Sequence, residues 1–497
     1  MTHPTISRRT VLSALGASLL PAAGHAADAP HAWRSSYAPY NGPLQAPLES
    51  GPLKVQGRWP AGLRGTLYRV GPARRALGGV AMDHWFDGDG MVQAFRFEGG
   101  ASAAVVSHRG ALLATPKLTT EEAAGRLLYS GFATTLANSP PLNGPDTLNP
   151  ANINLLPLPG SQELFALWEA GSALALDPQT LQASGFKAWS PETQGAPFSA
   201  HPRTAPDGTV WNFGYVPGSG KLLVYEIAPD GRLRRQQVLD APQADMVHDF
   251  AITGRHLVFL LMPLRFSGQP GVGAPLAHYR WDAQAPLVVL LVDKADFRVQ
   301  RFEVPATGLF HLANAWEEGG TVQVRFVAQP DILGTLRQLN VDSARSLAVQ
   351  STQWTQLTLA PATGQARMEA PGLANVEFPR IHPARQGLAT RFTTLLARSP
   401  GMDARVHGYD GVLTLQGDTP RRYTYGQGWI AEEHVYVPAS PTAPEGRGWV
   451  LGTAYHWPTE RTTLSVFDAQ AVDAGPVARI ALPYGLPLGL HGQFVPA

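Results

Sequence analysis

The chain has 497 residues and a formal net charge of +1; 15% of its residues are charged and 44% are hydrophobic. This composition excludes an intrinsically disordered protein and a highly charged coiled coil. Because there is no cysteine, any metal must be bound by nitrogen and oxygen atoms. No cluster of lysines and arginines marks a nucleic-acid-binding surface. The 51 glycines and 44 prolines predict frequent turns and few long helices.

The N-terminal segment, residues 1–26, has the layout of a signal peptide. Arg8 and Arg9 precede an apolar run over Val11–Ala23, and a candidate cleavage site follows at Ala26. Paired arginines are typical of the twin-arginine type, and the apolar run is shorter than the roughly 20 residues needed to span a bilayer. We therefore predict a periplasmic or exported protein in which residues 27–497 form a single domain.

The rest of the chain reads as many short strands separated by turns. Their spacing is typical of a β-sandwich, barrel or propeller. Over more than 400 residues without a linker, a propeller closes as one unit, whereas a sandwich would need several copies. The predicted strands are Leu164–Trp168, Leu174–Leu176, Val210–Tyr215, Leu222–Ile227, Phe250–Leu261, Leu287–Val292, Thr321–Val327, Gln356–Leu359, His434–Val437, Val450–Tyr455 and Thr463–Phe467.

Helical signals are local. Thr119–Leu128 begins with the Thr119/Glu122 pattern of a capping box, and Asp331–Leu347 is a second candidate. Residues 86–90 (FDGDG) predict a tight turn, in which the glycines supply positive φ angles and the aspartates cap backbone N–H groups.

Four histidines stand in distinctive surroundings. They are His201, His248, His311 and His491, and their separations along the chain are wide and unequal. No H-E-x-x-H helix is present, so the spacing alone does not indicate a metal. In a propeller, however, ligands from different blades would be separated in this wide and irregular way.

The segments around these histidines resemble the carotenoid cleavage oxygenase family, which includes apocarotenoid oxygenases, lignostilbene dioxygenases and the vertebrate retinoid isomerase. The matching segments run in family order from near residue 50 to the C-terminus. Besides the four histidine contexts they are residues 83–91 (DHWFDGDGM), 166–169 (ALWE), 377–380 (EFPR), 467–469 (FDA) and 476–479 (PVAR).

The resemblance implies an all-β fold, a seven-bladed β-propeller with a small helical cap over an axial metal site. It implies Fe(II) bound by the four histidines, with O2 and an apolar polyene as substrates and with cleavage of a conjugated C=C bond to carbonyl products. It also implies three glutamates that accept a hydrogen bond from the outer ring nitrogen of a ligand. By family order these pairs are Glu169 with His248, Glu377 with His311, and Glu433 with His491, which leaves His201 without one.

A physical argument supports such glutamates. Four imidazoles are neutral and leave the full charge of the ion in the site, so outer carboxylates both fix each tautomer and balance part of that charge. Imidazole suits Fe(II), and four ligands leave two octahedral positions open.

Two departures from the family pattern keep alternatives open. Family dioxygenases often have Ala-Asn-Thr-Asn before the first glutamate, whereas this chain has Ile153 in place of the threonine, which leaves room for isomerisation. Stilbene-cleaving members are expected to bind a phenol with a Tyr and a Lys. Here the Tyr position is Leu112, and no lysine lies between Lys117 and Lys187. Cleavage of a stilbene or phenylpropanoid is therefore the second hypothesis, and a non-catalytic propeller that binds apolar ligands is the third.

A polyene substrate predicts contact with a membrane surface. No polybasic segment is present to attract anionic lipid, so exposed apolar side chains near the cavity mouth are the expected contact. The candidate segments are Leu127–Phe132 and Pro263–Phe266.

Overall fold

The computed structural model describes residues 31–99, 105–269, 272–341, 351–403 and 406–497. The predicted signal peptide, residues 1–26, lies outside these ranges. Within them, no helix combines the length and hydropathy of a membrane span.

Short strands account for most of the regular structure in the described ranges. Strands β1 to β34 are, in chain order, Leu48–Ser50, Gln56–Gly57, Gly65–Arg74, Ala76–Leu77, Val80–Ala81, Asp89–Glu98, Val105–Leu112, Asn154–Pro157, Leu164–Leu167, Leu174–Leu176, Ala183–Phe186, Arg203–Thr204, Val210–Tyr215, Lys221–Ile227, Leu233–Asp240, Phe250–Ile252, His256–Leu261, Leu264–Phe266, Tyr279–Trp281, Leu287–Asp293, Val299–Val304, Gly308–Glu318, Thr321–Gln329, Gln353–Ala360, Gln365–Glu369, Val376–Ile381, Phe392–Ala397, Gly411–Gln416, Thr419–Thr424, Trp429–Pro438, Gly448–His456, Arg461–Asp468, Ala478–Ala481 and His491–Pro496.

Helices α1 to α3 are His31–Tyr37, Pro116–Ala124 and Ile332–Gln338. Single turns of 3₁₀-helix occupy Ala38–Tyr40, Trp85–Asp87, Pro145–Thr147, Pro191–Thr193, Pro275–His278, Pro383–Arg385 and Val472–Ala474.

Seven antiparallel sheets form the blades of a β-propeller. Blade 1 is β1-β7-β6-β3-β34, blade 2 is β8 to β11, blade 3 is β12 to β15, and blade 4 is β16, β17, β20 and β21. Blade 5 is β22 to β25, blade 6 is β26 to β29, and blade 7 is β30 to β33 together with β2. The ring is closed from both ends of the chain, because C-terminal β34 pairs with β3 and N-terminal β2 pairs with β33. The predicted seven-bladed propeller is confirmed.

The outermost strand of each blade is its most exposed strand. In blade 4, all three residues of the inner strand β16 are buried. In blade 3, most residues of the outer strand β15 are exposed. The inner strands also pack on one another around the axis, as β16 does on β22 and β22 does on β26. Side chains at the axial end of the inner strands can therefore converge.

Two predicted strands, Leu174–Leu176 and Val210–Tyr215, have the observed bounds. The run predicted over Phe250–Leu261 is instead two strands, β16 and β17, joined by a hairpin. The hydroxyl of Thr253 accepts a hydrogen bond from the N–H of His256 at 2.7 Å, which stabilises the turn between them. A continuous apolar run concealed this turn.

The two predicted helices exist with different bounds. Helix α2 begins at Pro116, where the Thr115 side chain accepts a hydrogen bond from Leu118 N–H, and it ends before Gly125, which has a φ of 65°. Helix α3 has Asp331 as its N-cap and ends at Gln338.

The segment 86–90 is a turn, but its glycines were predicted for the wrong reason. Gly88 has a φ of −70°, and Gly90 lies in strand β6 without a positive φ. A Cβ at Gly90 would lie 2.5 Å from the carbonyl oxygens of Pro150 and Ala151, so close packing requires this glycine. The predicted capping is confirmed for Asp87, whose carboxylate accepts hydrogen bonds from the N–H groups of residues 133 and 134. It is wrong for Asp89, whose carboxylate accepts from the side chains of Arg74 and Lys117.

Candidate metal centre

The four histidines singled out in the sequence meet at the propeller axis. His311 lies in β22 and His491 begins β34, whereas His248 precedes β16 and His201 precedes β12. They thus come from four different blades, and all four are buried. The Nε2 atoms of His201 and His248 are 3.0 Å apart, and those of His311 and His491 are 3.2 Å apart. One ring nitrogen from each of the four lies within 4.8 Å of the others.

Irregular pairing occurs where three of the strands pass the centre. The ladder of β22 shifts register around His311, that of β26 shifts between Glu377 and Arg380, and that of β30 shifts between Ala431 and His434. Bulges of this kind redirect side chains relative to the pleat. No residue pattern in these three strands predicts the register shifts.

Each predicted glutamate contacts the predicted histidine. The Nδ1 of His248 lies 2.8 Å from Glu169 Oε2, and the Nδ1 of His311 lies 2.6 Å from Glu377 Oε2. The Nδ1 of His491 lies 2.9 Å from Glu433 Oε1. Since a carboxylate can only accept, each Nδ1 carries the proton and each Nε2 presents a lone pair to the axis.

No carboxylate contacts the ring of His201 among the described contacts. The Ser199 hydroxyl accepts a hydrogen bond from His201 N–H at 3.2 Å and donates to Asn212 Oδ1 at 2.7 Å. The amide of Asn154 donates to the carbonyl of Ala200 at 2.8 Å. The backbone on either side of this histidine is therefore fixed by buried side chains.

Burial and charge keep two of these histidines neutral. Burial lowers the pKa of His491 to about 4, although the Glu433 carboxylate opposes the shift. Burial and the neighbouring imidazoles lower the pKa of His201 well below its usual value. Burial acts to raise the pKa of Glu433, but Arg380 and His491 outweigh it and bring that pKa to about 2.

His311 behaves differently. Burial acts to lower its pKa, but the Glu377 carboxylate outweighs burial and raises the pKa overall. Without a metal, His311 therefore retains a proton more readily than His201 or His491 does, and protons and metal compete there.

The donor set fits a metal ion. With Nδ1 of both His311 and His491 bonded to carboxylates, two lone pairs face each other across 3.2 Å, an arrangement that needs a cation between them. A single proton could bridge the nitrogens of two histidines, but four nitrogens that converge on one point form a set of metal ligands. Imidazole nitrogens suit Fe, Zn, Cu and Ni, so the geometry supports a transition metal without selecting one.

Arg203 and Asp249 join three of the histidine-bearing segments. Arg203 Nη2 donates to both carboxylate oxygens of Asp249, at 2.7 and 2.6 Å, and to the carbonyl of Leu312 at 2.9 Å. The Asp249 carboxylate also accepts from the N–H groups of Phe250 and Leu312. Arg203, Asp249 and Leu312 lie within two positions of His201, His248 and His311, respectively. The Arg203–Asp249 clamp, as we call this pair, therefore sets the spacing of three ligands. The sequence analysis missed both members, although Asp249 directly follows His248.

A cavity of about 520 Å³ reaches the centre. His248, His311 and His491 form part of its wall, and α2, α3 and the strand β18 also contribute. Most of the wall is apolar, with the aromatic side chains of Trp33, Trp85, Trp168, Phe86, Phe132, Phe266, Phe310 and Phe378.

Three residues named in the sequence analysis were used there to weigh the alternative reactions and substrates. Ile153 lines the cavity together with Glu169. Leu112 packs in a separate cluster with Tyr40 and is not among the lining residues. Lys117 is the only lysine that lines the cavity in the described ranges. Its ammonium group donates to carboxylates of α2 and β6, at 3.0 and 2.7 Å.

One proposed membrane contact is wrong. Leu127 is 1% exposed and packs against Leu77 and Met82, so it cannot reach a lipid surface. Phe266 is half-buried and lines the cavity. An apolar run after a helix was mistaken for surface because its burial partners lie far away in the sequence.

Comparison with known proteins agrees with this architecture. The chain is 30% identical to the apocarotenoid-15,15'-oxygenase of Synechocystis, over 88% of this chain and 92% of the relative. It is 28% identical to the lignostilbene-α,β-dioxygenase isozyme III of Sphingomonas paucimobilis, over 90% and 94%. The crystal structure of the cobalt-substituted Synechocystis apocarotenoid oxygenase superposes with a TM-score of 0.82 and 26% identity, over 94% of this chain and 99% of that one.

The family profile described as retinal pigment epithelial membrane protein matches residues 41–496. With its seven blades and its four axial histidines, the chain belongs to this family, the carotenoid cleavage oxygenases.

Proposed function

We propose that this protein is an Fe(II)-dependent dioxygenase that cleaves a conjugated C=C bond of a carotenoid or apocarotenoid to carbonyl products. His201, His248, His311 and His491 would hold the iron. The observation that carries the proposal is the convergence of their nitrogens within 4.8 Å at the end of an apolar cavity. The apocarotenoid oxygenase relative supports the substrate class.

When bound, Fe(II) would supply the activation of O2 at the open coordination positions. The residues of the chain would orient the metal ligands and bind the substrate. Glu169, Glu377 and Glu433 orient the ligand rings, and the aromatic walls exclude water and hold a polyene by burying its surface. The position of the polyene along the cavity would determine which double bond lies at the centre.

Cleavage of stilbenes or phenylpropanoids is the second candidate, and the lignostilbene dioxygenase relative supports it. The cavity wall argues against it. A phenol would need a partner, and Lys117, the only lysine of the wall in the described ranges, has two of its three N–H donors bonded to Asp89 and Glu121. A buried phenol without a partner costs free energy.

Incubation of the Fe(II)-loaded protein with matched panels under O2 distinguishes the two candidates. We expect aldehyde or ketone products from apocarotenoids and carotenoids and none from hydroxystilbenes, with products identified by mass spectrometry. Products from hydroxystilbenes alone would contradict the carotenoid proposal.

The cavity mouth is the part of the surface that we propose to contact membranes. Val216 lines the cavity and is 40% exposed, and Val272, 58% exposed, adjoins the cavity-lining Gly273. We expect binding to neutral liposomes with little dependence on salt. Val216→Glu and Val272→Glu should each weaken it by about 1 kcal/mol, because a buried apolar surface is lost. Co-sedimentation measures the binding.

Val238 is a matched control, because it is 56% exposed and lies on the outer strand β15. Val238→Glu should leave liposome binding unchanged. Equal losses in all three variants would contradict this placement.

We further propose export by the twin-arginine route, with residues 1–26 as the signal. The support is the sequence itself, namely Arg8 and Arg9 before the apolar run. N-terminal sequencing of the protein recovered from the periplasm of a bacterial host tests cleavage after Ala26. Full-length protein confined to the cytoplasm would contradict it.

A further inference from the structure

The three outer glutamates are not held in the same way. Glu377 Oε2 also accepts a hydrogen bond from the backbone N–H of Phe378, and Glu433 Oε2 accepts one from Gly492 N–H at 2.8 Å. The backbone thus fixes the orientation of these two carboxylates. Among the described contacts, Glu169 receives no such backbone hydrogen bond.

Glu169 is held by two side chains instead. Its Oε2 accepts from His248 Nδ1, and its Oε1 accepts from the hydroxyl of Tyr215. Its side chain is 17% exposed, against 5% for Glu377 and 2% for Glu433. Of the three glutamates it is therefore the one with most freedom to rotate.

Tyr215 is well placed to restrict that rotation. It is the last residue of β13, is buried, and stacks on Phe213 with 6.4 Å between ring centroids. Burial and the Glu169 carboxylate raise the pKa of its phenol well above the usual value, so the hydroxyl stays protonated and donates.

We propose that Tyr215 is a positioning residue of the metal centre, which fixes the Glu169 carboxylate and through it the ring of His248. The inference rests on the proposed metal-binding function. It adds Tyr215, which is not itself a metal ligand, to the residues that determine metal affinity.

The physical reason is the orientation of one ring. With both oxygens engaged, the carboxylate keeps the proton of His248 on Nδ1 and directs Nε2 to the axis. Without the Tyr215 hydroxyl, Glu169 can turn toward the cavity that it lines, and His248 loses its fixed tautomer. Loss of an outer carboxylate costs about 10- to 100-fold in metal affinity, so loss of its support should cost about 10-fold, at the lower end of that range.

Tyr215→Phe tests this, with Co(II) as the probe. We expect roughly 10-fold weaker binding of Co(II) and an altered visible absorption band of the bound ion. Tyr225→Phe is the matched control, since Tyr225 is a buried tyrosine of the same blade that does not line the cavity, and its hydroxyl donates to the carbonyl of Pro197 at 2.9 Å. This control should keep the affinity and spectrum of the wild type.

A double-mutant cycle then separates positioning from packing. In a Glu169→Ala background, Tyr215→Phe should have no further effect on Co(II) affinity, because Tyr215 acts through Glu169. An equal effect in both backgrounds would overturn the proposal. An unchanged Co(II) affinity in Tyr215→Phe would also overturn it. The same holds if the metal-free variant loses enough thermal stability to explain its weaker binding of Co(II). If the wild-type protein binds no Co(II), the proposed function fails instead.

Discussion

The His311→Ala variant is expected to lose stoichiometric metal binding. Three ligands would remain, and the space left by the ring lies on the cavity wall, where water can enter. The substitution also leaves Glu377 as a buried carboxylate without its imidazole partner. The measurement is metal content per chain after loading with Fe(II) without oxygen and removal of free metal.

His456 is a matched control because it is the half-buried last residue of β31 and does not line the cavity; its Nδ1 contacts Thr459 Oγ1 at 2.7 Å. His456→Ala should bind as much metal as the wild type. Glu377→Gln should fall between the two, with affinity reduced about 10- to 100-fold, because the amide keeps the volume and loses the charge. Full metal content in His311→Ala would refute the assignment of the ligands.

Asp249→Ala should destabilise the fold by about 3–5 kcal/mol, the usual cost of removing one partner of a buried ion pair. The side chain of Asp249 is 1% exposed, and its loss would leave Arg203 without its carboxylate partner and the N–H groups of Phe250 and Leu312 without an acceptor. We expect a lower midpoint of urea unfolding, measured on metal-free protein.

Asp240→Ala provides the comparison, because the Lys221–Asp240 pair is exposed on both sides. Such pairs contribute roughly 0–1 kcal/mol. If Asp249→Ala and Asp240→Ala shift the midpoint equally, the clamp does not hold the three segments together.

The sequence predicted much of this architecture for identifiable reasons. Strands such as Val210–Tyr215 alternate and end at turn residues, so their bounds follow from local rules. The ligand histidines and their glutamates were found through resemblance, because wide and unequal separations along the chain carry no local signal. Closure of the ring by β2 and β34 brings together opposite ends of the chain and is equally invisible locally.

Two of the errors and one omission share a physical cause, which is packing against distant segments. Leu127, proposed as a membrane contact, is buried against Leu77 and Met82. Gly90 is required by the approach of the backbone at residues 150–151 and not by a turn. Tyr215 reaches Glu169 across 46 residues, and no pattern in its own strand indicates that contact.

Consumption of O2 during turnover of an apocarotenoid tests the central claim most directly. For cleavage to two carbonyls, one molecule of O2 enters for each double bond broken, and we expect this ratio only with the Fe(II)-loaded protein. The measurement pairs an oxygen electrode with quantification of the carbonyl products. A geometrically isomerised polyene without O2 uptake would indicate an isomerase, and an unchanged polyene bound to the iron-loaded protein would indicate a carrier; either result would contradict the account.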